Sequence, residues 1–223
     1  MATAKRTDTT AARRSGGGSS PARRERLVLA AVAEIDANGP EPAVAAIAER
    51  AGVPRPHVYR IFASRDELDE AVVAYTAAEL LDRLTPPPGS QGAVNEMVHD
   101  RIASAVGWAA EHPNLYRFLA LRTQTLTMQN ARAGLLGAIV DTVVGLVGED
   151  ALDRGLLERV LAGLIAMVDT GIVWWLEHAD ETREEVIVRL TRQAQAVLLD
   201  LVAQLGLPLQ PDTELSIRLL SER

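Results

Sequence analysis

The stretch Ile47-Ala48-Glu49-Arg50-Ala51-Gly52-Val53, then Pro54, Arg55 and Pro56, then His57-Val58-Tyr59-Arg60-Ile61-Phe62, decides the architecture of this chain. Val44, Ile47 and Ala48 recur at helical steps and stop at Gly52, a residue that enters a tight or left-handed turn without steric cost. Val58, Ile61 and Phe62 resume the spacing just beyond. Two short helices, Val44 to Arg50 and Arg55 to Phe62, separated by Ala51-Gly52-Val53-Pro54, have the spacing of a helix-turn-helix, whose second helix projects outward. Ser64 with Glu67 then forms a capping-box signature and opens a long helix from Arg65 to Leu84. Pro86, Pro87, Pro88 and Gly89 end it.

Working outward, Leu27, Val28, Ala31, Val32 and Ile35 mark an amphipathic first helix that Pro21 can open and Gly39-Pro40 stops. Residues 1–20 hold Gly16, Gly17, Gly18, Ser19 and Ser20 with no hydrophobic period, so they read as a disordered basic arm. Downstream, helical patterns run from Ala93 to Glu111, Asn114 to Arg122, Met128 to Val147 and Leu152 to Glu177. Thr182 with Glu185 repeats the capping-box signature before a last helix from Arg183 to Leu205. No segment reads as a strand, and residues 206–223 are expected to fray rather than dock. The expected fold is all-α with about nine helices: a three-helix unit at 21–70, joined by the long fourth helix to a helical bundle at 71–205.

With 223 residues, 48% hydrophobic and 24% charged, the chain can bury a substantial core, which excludes disordered and collagen-like classes. It has no cysteine, so disulfides, thiolate metal sites and thiol nucleophiles are excluded and the cytoplasm is the expected location. No apolar run approaches the roughly 20 residues of a membrane helix, and the N-terminus lacks the apolar stretch of a secretory signal. No membrane partner is expected.

The net charge of −7 is unevenly spread: ten basic residues against six acids up to Arg60 make a positive head on a strongly acidic body. A local positive field is what a phosphate backbone requires, although a solvated charge run gives the same count. The histidines His57, His99, His112 and His178 are scattered, with no two-histidine metal motif, nucleophile elbow or phosphate-cradling glycine loop. No catalytic residue, metal or cofactor is therefore expected, and an enzyme is not. Glu111-His112-Pro113 reads as a helix end where the histidine can satisfy terminal carbonyls.

From Arg24 to Ala71 the chain resembles the TetR family of bacterial transcriptional regulators, through Ile47 to Val53, His57 to Phe62 and Ser64 to Leu68. The rest matches only in layout. That resemblance implies an all-helical homodimer with an N-terminal DNA-binding domain and a C-terminal domain that dimerises and holds a small effector. Carried over by position, Arg55 and His57 face base edges, where Arg can grip guanine. Tyr59 touches the sugar-phosphate backbone, Arg60 adds a phosphate contact, and Arg65 replaces the usual lysine that meets a phosphate at the start of the fourth helix. Pro54, Pro56 and Ala43 replace a Ser, a small residue and a Thr of the family pattern, which alters the phosphate contacts expected there. Arg13, Arg14, Arg23 and Arg24 are then candidates for the flanking minor groove.

The implied function is a repressor on a pseudo-palindromic, double-stranded DNA operator, released by a small, largely apolar effector. A helical ligand sensor without operator binding is the alternative, which Pro54 and Pro56 keep open. Effector candidates are Trp108, Tyr116, Phe118, Met128, Met167, Asp169, Thr170 and Trp174. Each Met or aromatic also reads as ordinary packing. Asp169-Thr170 interrupts an apolar run, and an acid there either lines a site or sits on a solvent-facing edge. Had it lined one, a cationic or hydroxylated ligand would suit it. The two C-terminal helices have more apolar surface than one core needs and fall where the family dimerises.

Overall fold

The computed structural model describes residues 20–85, 91–147, 153–206 and 214–216. Among these, α1 (Ser20–Asn38), α2 (Val44–Arg50), α3 (Arg55–Ile61) and α4 (Arg65–Leu84) follow the expected order. A three-residue strand, β1 (Gln91–Ala93), precedes α5 (Val94–Glu111), α6 (Pro113–Ala120), α7 (Leu126–Val147), α8 (Arg154–His178) and α9 (Arg183–Gln204). A second short strand, β2 (Glu214–Ser216), pairs with β1 antiparallel, with Gln91 opposite Ser216 and Gly92 opposite Leu215. The architecture is all-α, with this ribbon as its one departure among the described residues. The expectations of no strand and of a wholly frayed tail are thus corrected at residues 214–216. Three-residue strands show no usable alternation, so their pairing is invisible until the chain is folded. The basic arm, Pro86 to Gly89, and the tail apart from β2 lie outside the described residues.

Turns and caps follow from residue chemistry. Gly52 holds φ +66, a left-handed conformation costly to any residue with a Cβ, and so permits the tight turn between α2 and α3. Pro54 sits at the N-cap of α3 and Pro56 inside its first turn, positions where a missing N–H is harmless. Ser64 Oγ accepts from Glu67 N, but the Glu67 carboxylate returns to Ala63 N at 2.6 Å rather than to the cap residue's own amide. Thr182 and Glu185 form the complete reciprocal box. Asp153 caps α8 through a bond from Leu156 N.

One apolar core runs from α1–α4 into α5, α6, α8 and α9, with Phe62, Trp108, Phe118, Val72 and Ile172 fully enclosed. A second, smaller cluster of Val140, Leu157, Leu161 and Leu201 joins the far halves of α7, α8 and α9. Gly171 lets α8 lie against α9: a Cβ there would stand 2.5 Å from Leu190 Cδ2. No described helix is long and apolar enough to cross a membrane.

Candidate functional site

The two faces of α3 separate because its helical steps do. Val58 is buried and Ile61 partly so, and they hold the helix on the core, while Arg55, Tyr59 and Arg60 are exposed on the other side. Arg55 places its guanidinium 5.8 Å from the Tyr59 ring centre, so a cation and an aromatic share one surface. His57 is half-buried beside them. Phe62 closes the unit from within.

The other candidates for DNA contact are placed differently. Arg24 donates to Glu67 Oε1 at 2.8 Å and lies 4.2 Å above the Phe62 ring, fastening α1 to the start of α4. Arg65 donates from Nη1 to the Pro42 carbonyl at 2.6 Å and from Nε to Asp69 at 2.7 Å. Both are engaged inside the protein. Arg23 is exposed, whereas Arg13 and Arg14 lie outside the described residues. Two glutamates stiffen the same unit. Glu34, held by Arg50 Nε at 2.5 Å and by Asn38, is pulled below the usual carboxylate range, chiefly by the Arg50 bond. Glu67 is pulled down likewise, chiefly by the bond from Ala63 N and then by Arg24.

The effector candidates divide into three sets. Trp108, Phe118 and Met128 are buried in the main core, and Trp108 Nε1 donates to Glu79 at 3.3 Å. Tyr116 is buried as well, and its hydroxyl donates to Asp169 Oδ1 at 2.9 Å. Arg132 Nη2 donates to Asp169 Oδ2, so α6, α7 and α8 meet at one carboxylate. Asp169 is therefore not a bare solvent-facing edge. Burial raises its pKa, opposed by Arg132 and the Tyr116 hydroxyl, and burial together with the adjacent carboxylate drives Tyr116 well above its ordinary value. With Arg132 beside it, the carboxylate is already neutralised, which removes the sequence-based reason for a cationic ligand.

Met167, Thr170 and Trp174 form the third set, turned toward an open groove of about 810 Å³ between α8 and α9 rather than toward Tyr116. Gly163, Ala166 and Gly171 floor it, with Arg189 and Gln193 on the α9 side. Trp174 is 53% exposed; its ring stacks on His178 at 3.8 Å and its Nε1 donates to Asp180 at 3.3 Å. Val188 and Leu199 are exposed on α9.

Sequence reading missed Arg132, Asp69 and Arg122, whose partners lie 37 and 53 residues away. No local spacing encodes such pairs. His112 does end α5, its N–H donating to the Trp108 carbonyl, but its ring Nδ1 lies 2.9 Å from Asp36 Oδ2 on α1 rather than on terminal carbonyls of its own helix. Among the described residues no group of three or more His, Cys, Asp or Glu could hold a metal ion.

An outward helix carrying arginine and tyrosine, set on an all-helical frame by a glycine turn, has the layout of a helix-turn-helix. Residues 27–72 match the family model described as bacterial regulatory proteins, tetR family. The N-terminal unit is thus similar to that of the tetR family of bacterial regulatory proteins. No curated protein sequence matches it significantly. Solved structures share its fold: a tetR-family transcriptional regulator from Streptomyces coelicolor superposes with a TM-score of 0.69 at 22% identity, over 85% of this chain and 87% of that one. A putative TetR-family regulator from Rhodococcus sp. gives 0.62 at 19%, over 79% and 99%. The fatty acid degradation regulator FadR from Bacillus halodurans gives 0.57 at 15%, over 76% and 96%.

Proposed function

We propose that this chain is a cytoplasmic repressor that occupies a pseudo-palindromic operator as a homodimer and leaves it when a small, largely apolar effector binds. The observation that carries the reading is the outward face of α3, where Arg55, Tyr59 and Arg60 stand exposed opposite a buried Val58. In this reading residues 21–70 bind DNA and 71–205 dimerise and sense. Arg55 and His57 read base edges, Tyr59, Arg60 and Arg65 meet the backbone, and Arg23 reaches toward the flanking minor groove. Arg24 acts indirectly, by setting how α1 meets α4.

Dimerisation is supported by exposed Trp174 in the α8–α9 groove and by exposed Val188 and Leu199 on α9, apolar surface of the kind that marks protein interfaces. Two copies of so short a recognition helix read two half-sites, whose spacing mirrors their separation. Met167, Thr170 and Trp174 then belong to the subunit contact. The effector site falls to the interior set around Tyr116, Asp169 and Met128, with Trp108 and Phe118 as its apolar walls. Ligand and DNA binding would be reciprocally coupled.

Selection of bound duplexes from a random pool tests the reading, with wild type and the double variant Arg55→Ala/His57→Ala run side by side. A palindrome enriched by the wild type and lost with the variant is the expected result. An absence of enrichment from a verified dimer would turn the reading to a ligand sensor without operator binding.

A further inference from the structure

Asp69 is buried in the second turn of α4, and its two oxygens are divided between an arginine of its own helix and one from a distant turn of the chain. Oδ1 accepts from Arg65 Nε, and Arg65 also donates to the Pro42 carbonyl in the loop just before α2. Oδ2 accepts from Arg122 Nη2 at 2.7 Å. Arg122 comes from the turn between α6 and α7, and several bonds tie it there. Its guanidinium lies 3.8 Å above the Phe118 ring, and its carbonyl accepts from Thr125 Oγ1, which in turn accepts from Met128 N at the start of α7. The side chains of Asp69 and Arg122 are each 13% exposed, and that of Arg65 is 29% exposed. The network is closed on the Arg122 side and open on the Arg65 side.

We propose that Asp69 is a positioning residue that sets how freely Arg65 reaches a DNA phosphate, and that Arg122 reports the placement of α6 and α7 to it. This rests on the DNA-binding reading above. With Arg122 in place the carboxylate charge is shared, and Arg65 can swing to a phosphate at small cost. When α6 and α7 shift against α4, the Asp69–Arg122 contact is the one that stretches, since Arg122 moves with them. The full carboxylate charge then falls on Arg65 and holds it inward. A charge-assisted pair inside the protein competes directly with a charge-assisted bond to phosphate, so the helix-turn-helix loses one cationic contact without any change in α3.

The test is the salt dependence of affinity for a duplex obtained by the selection above, since each neutralised phosphate adds about 0.9 to the slope of log affinity against log salt. Arg65→Gln should lower the slope by about that amount, so that between 50 and 200 mM salt it loses about three- to fourfold less affinity than the wild type does. Arg122→Gln should lower it equally, although Arg122 lies away from the recognition helix. Asp69→Asn should leave the wild-type slope intact and, combined with Arg122→Gln, restore it. In the Arg65→Gln background neither further change should matter. A purely structural role for Arg122 would lower the melting temperature and leave the salt slope unchanged. Asp69→Asn keeps the size and hydrogen-bonding capacity of the side chain, so it remains informative should Arg122→Gln unfold. An unchanged slope in Arg122→Gln, a lower slope in Asp69→Asn, or failure of the double variant to recover, overturns the proposal. A wild type that binds no duplex overturns the DNA-binding reading itself.

Discussion

The helix-turn-helix unit and the α7–α9 region are held by different kinds of interaction. In the first, short helices are closed locally: Gly52 takes the turn, Ser64 caps α4, and Glu34 and Glu67 are stabilised as charged carboxylates by close donors. In the second, long helices carry few local stops, and the decisive polar group, Asp169, is pushed toward its neutral form by burial and depends on partners from two other helices. A region built from local signals can be read from its sequence and tolerates few changes of shape. A region built from distant contacts leaves surface open, as the α8–α9 groove does.

The contrast breaks most sharply at Phe62. Its side chain is fully enclosed between α1, α3 and α4, so Phe62→Ala should cost about 3–5 kcal/mol in chemical denaturation. Trp174→Ala, at an exposed residue of the α8–α9 groove, should not approach that loss. Next comes Arg132→Met, which leaves Asp169 without its cation. Because both side chains are about a third exposed, the loss should be about 1–2 kcal/mol, below that of a fully buried pair. Ser64→Ala and Thr182→Ala should each cost about 1 kcal/mol, one in each region, so equal losses would show that capping contributes alike to both.

The smallest effect concerns pH, and its sign differs between the regions. Glu34 is depressed in the folded protein, so its contribution is present above the unfolded carboxylate pKa and lost as pH falls toward the depressed value. Asp169 is raised, so its contribution is present below the unfolded value and lost as pH rises through the raised one. In urea melts across this range, Glu34→Gln should flatten the acid-side loss of stability. Asp169→Asn should flatten the loss that accompanies rising pH. Identical profiles for the two variants would erase the distinction.

Legibility followed the same division. Val44–Arg50 and Arg65–Leu84 were readable to the residue because a glycine, a capping serine and an apolar period coincide there. The exposed residues of α3 were marked by the resemblance, which carried Arg55 and Tyr59 over by position, while the apolar spacing placed Val58 and Ile61 in the core. Arg65 and Arg24 stood out as candidate DNA-contacting cations, and nothing local pointed to their partners Asp69 and Glu67. Asp169 stood out as an acid in an apolar run, yet nothing in the run pointed to Arg132. Met167 and Trp174 were grouped with Tyr116 as effector candidates, and the fold places them instead in the lining of the α8–α9 groove.

The sequence by itself determined the helices, the glycine turn and the outward face of α3, because these depend on periods and stops within a few residues. Only the tertiary structure decided that one carboxylate joins Arg65 to Arg122, that Asp169 is shared by Tyr116 and Arg132, and that residues 214–216 pair with 91–93. Such contacts arise where distant helices and segments meet. Their geometry is set by packing, which no local spacing of residues records.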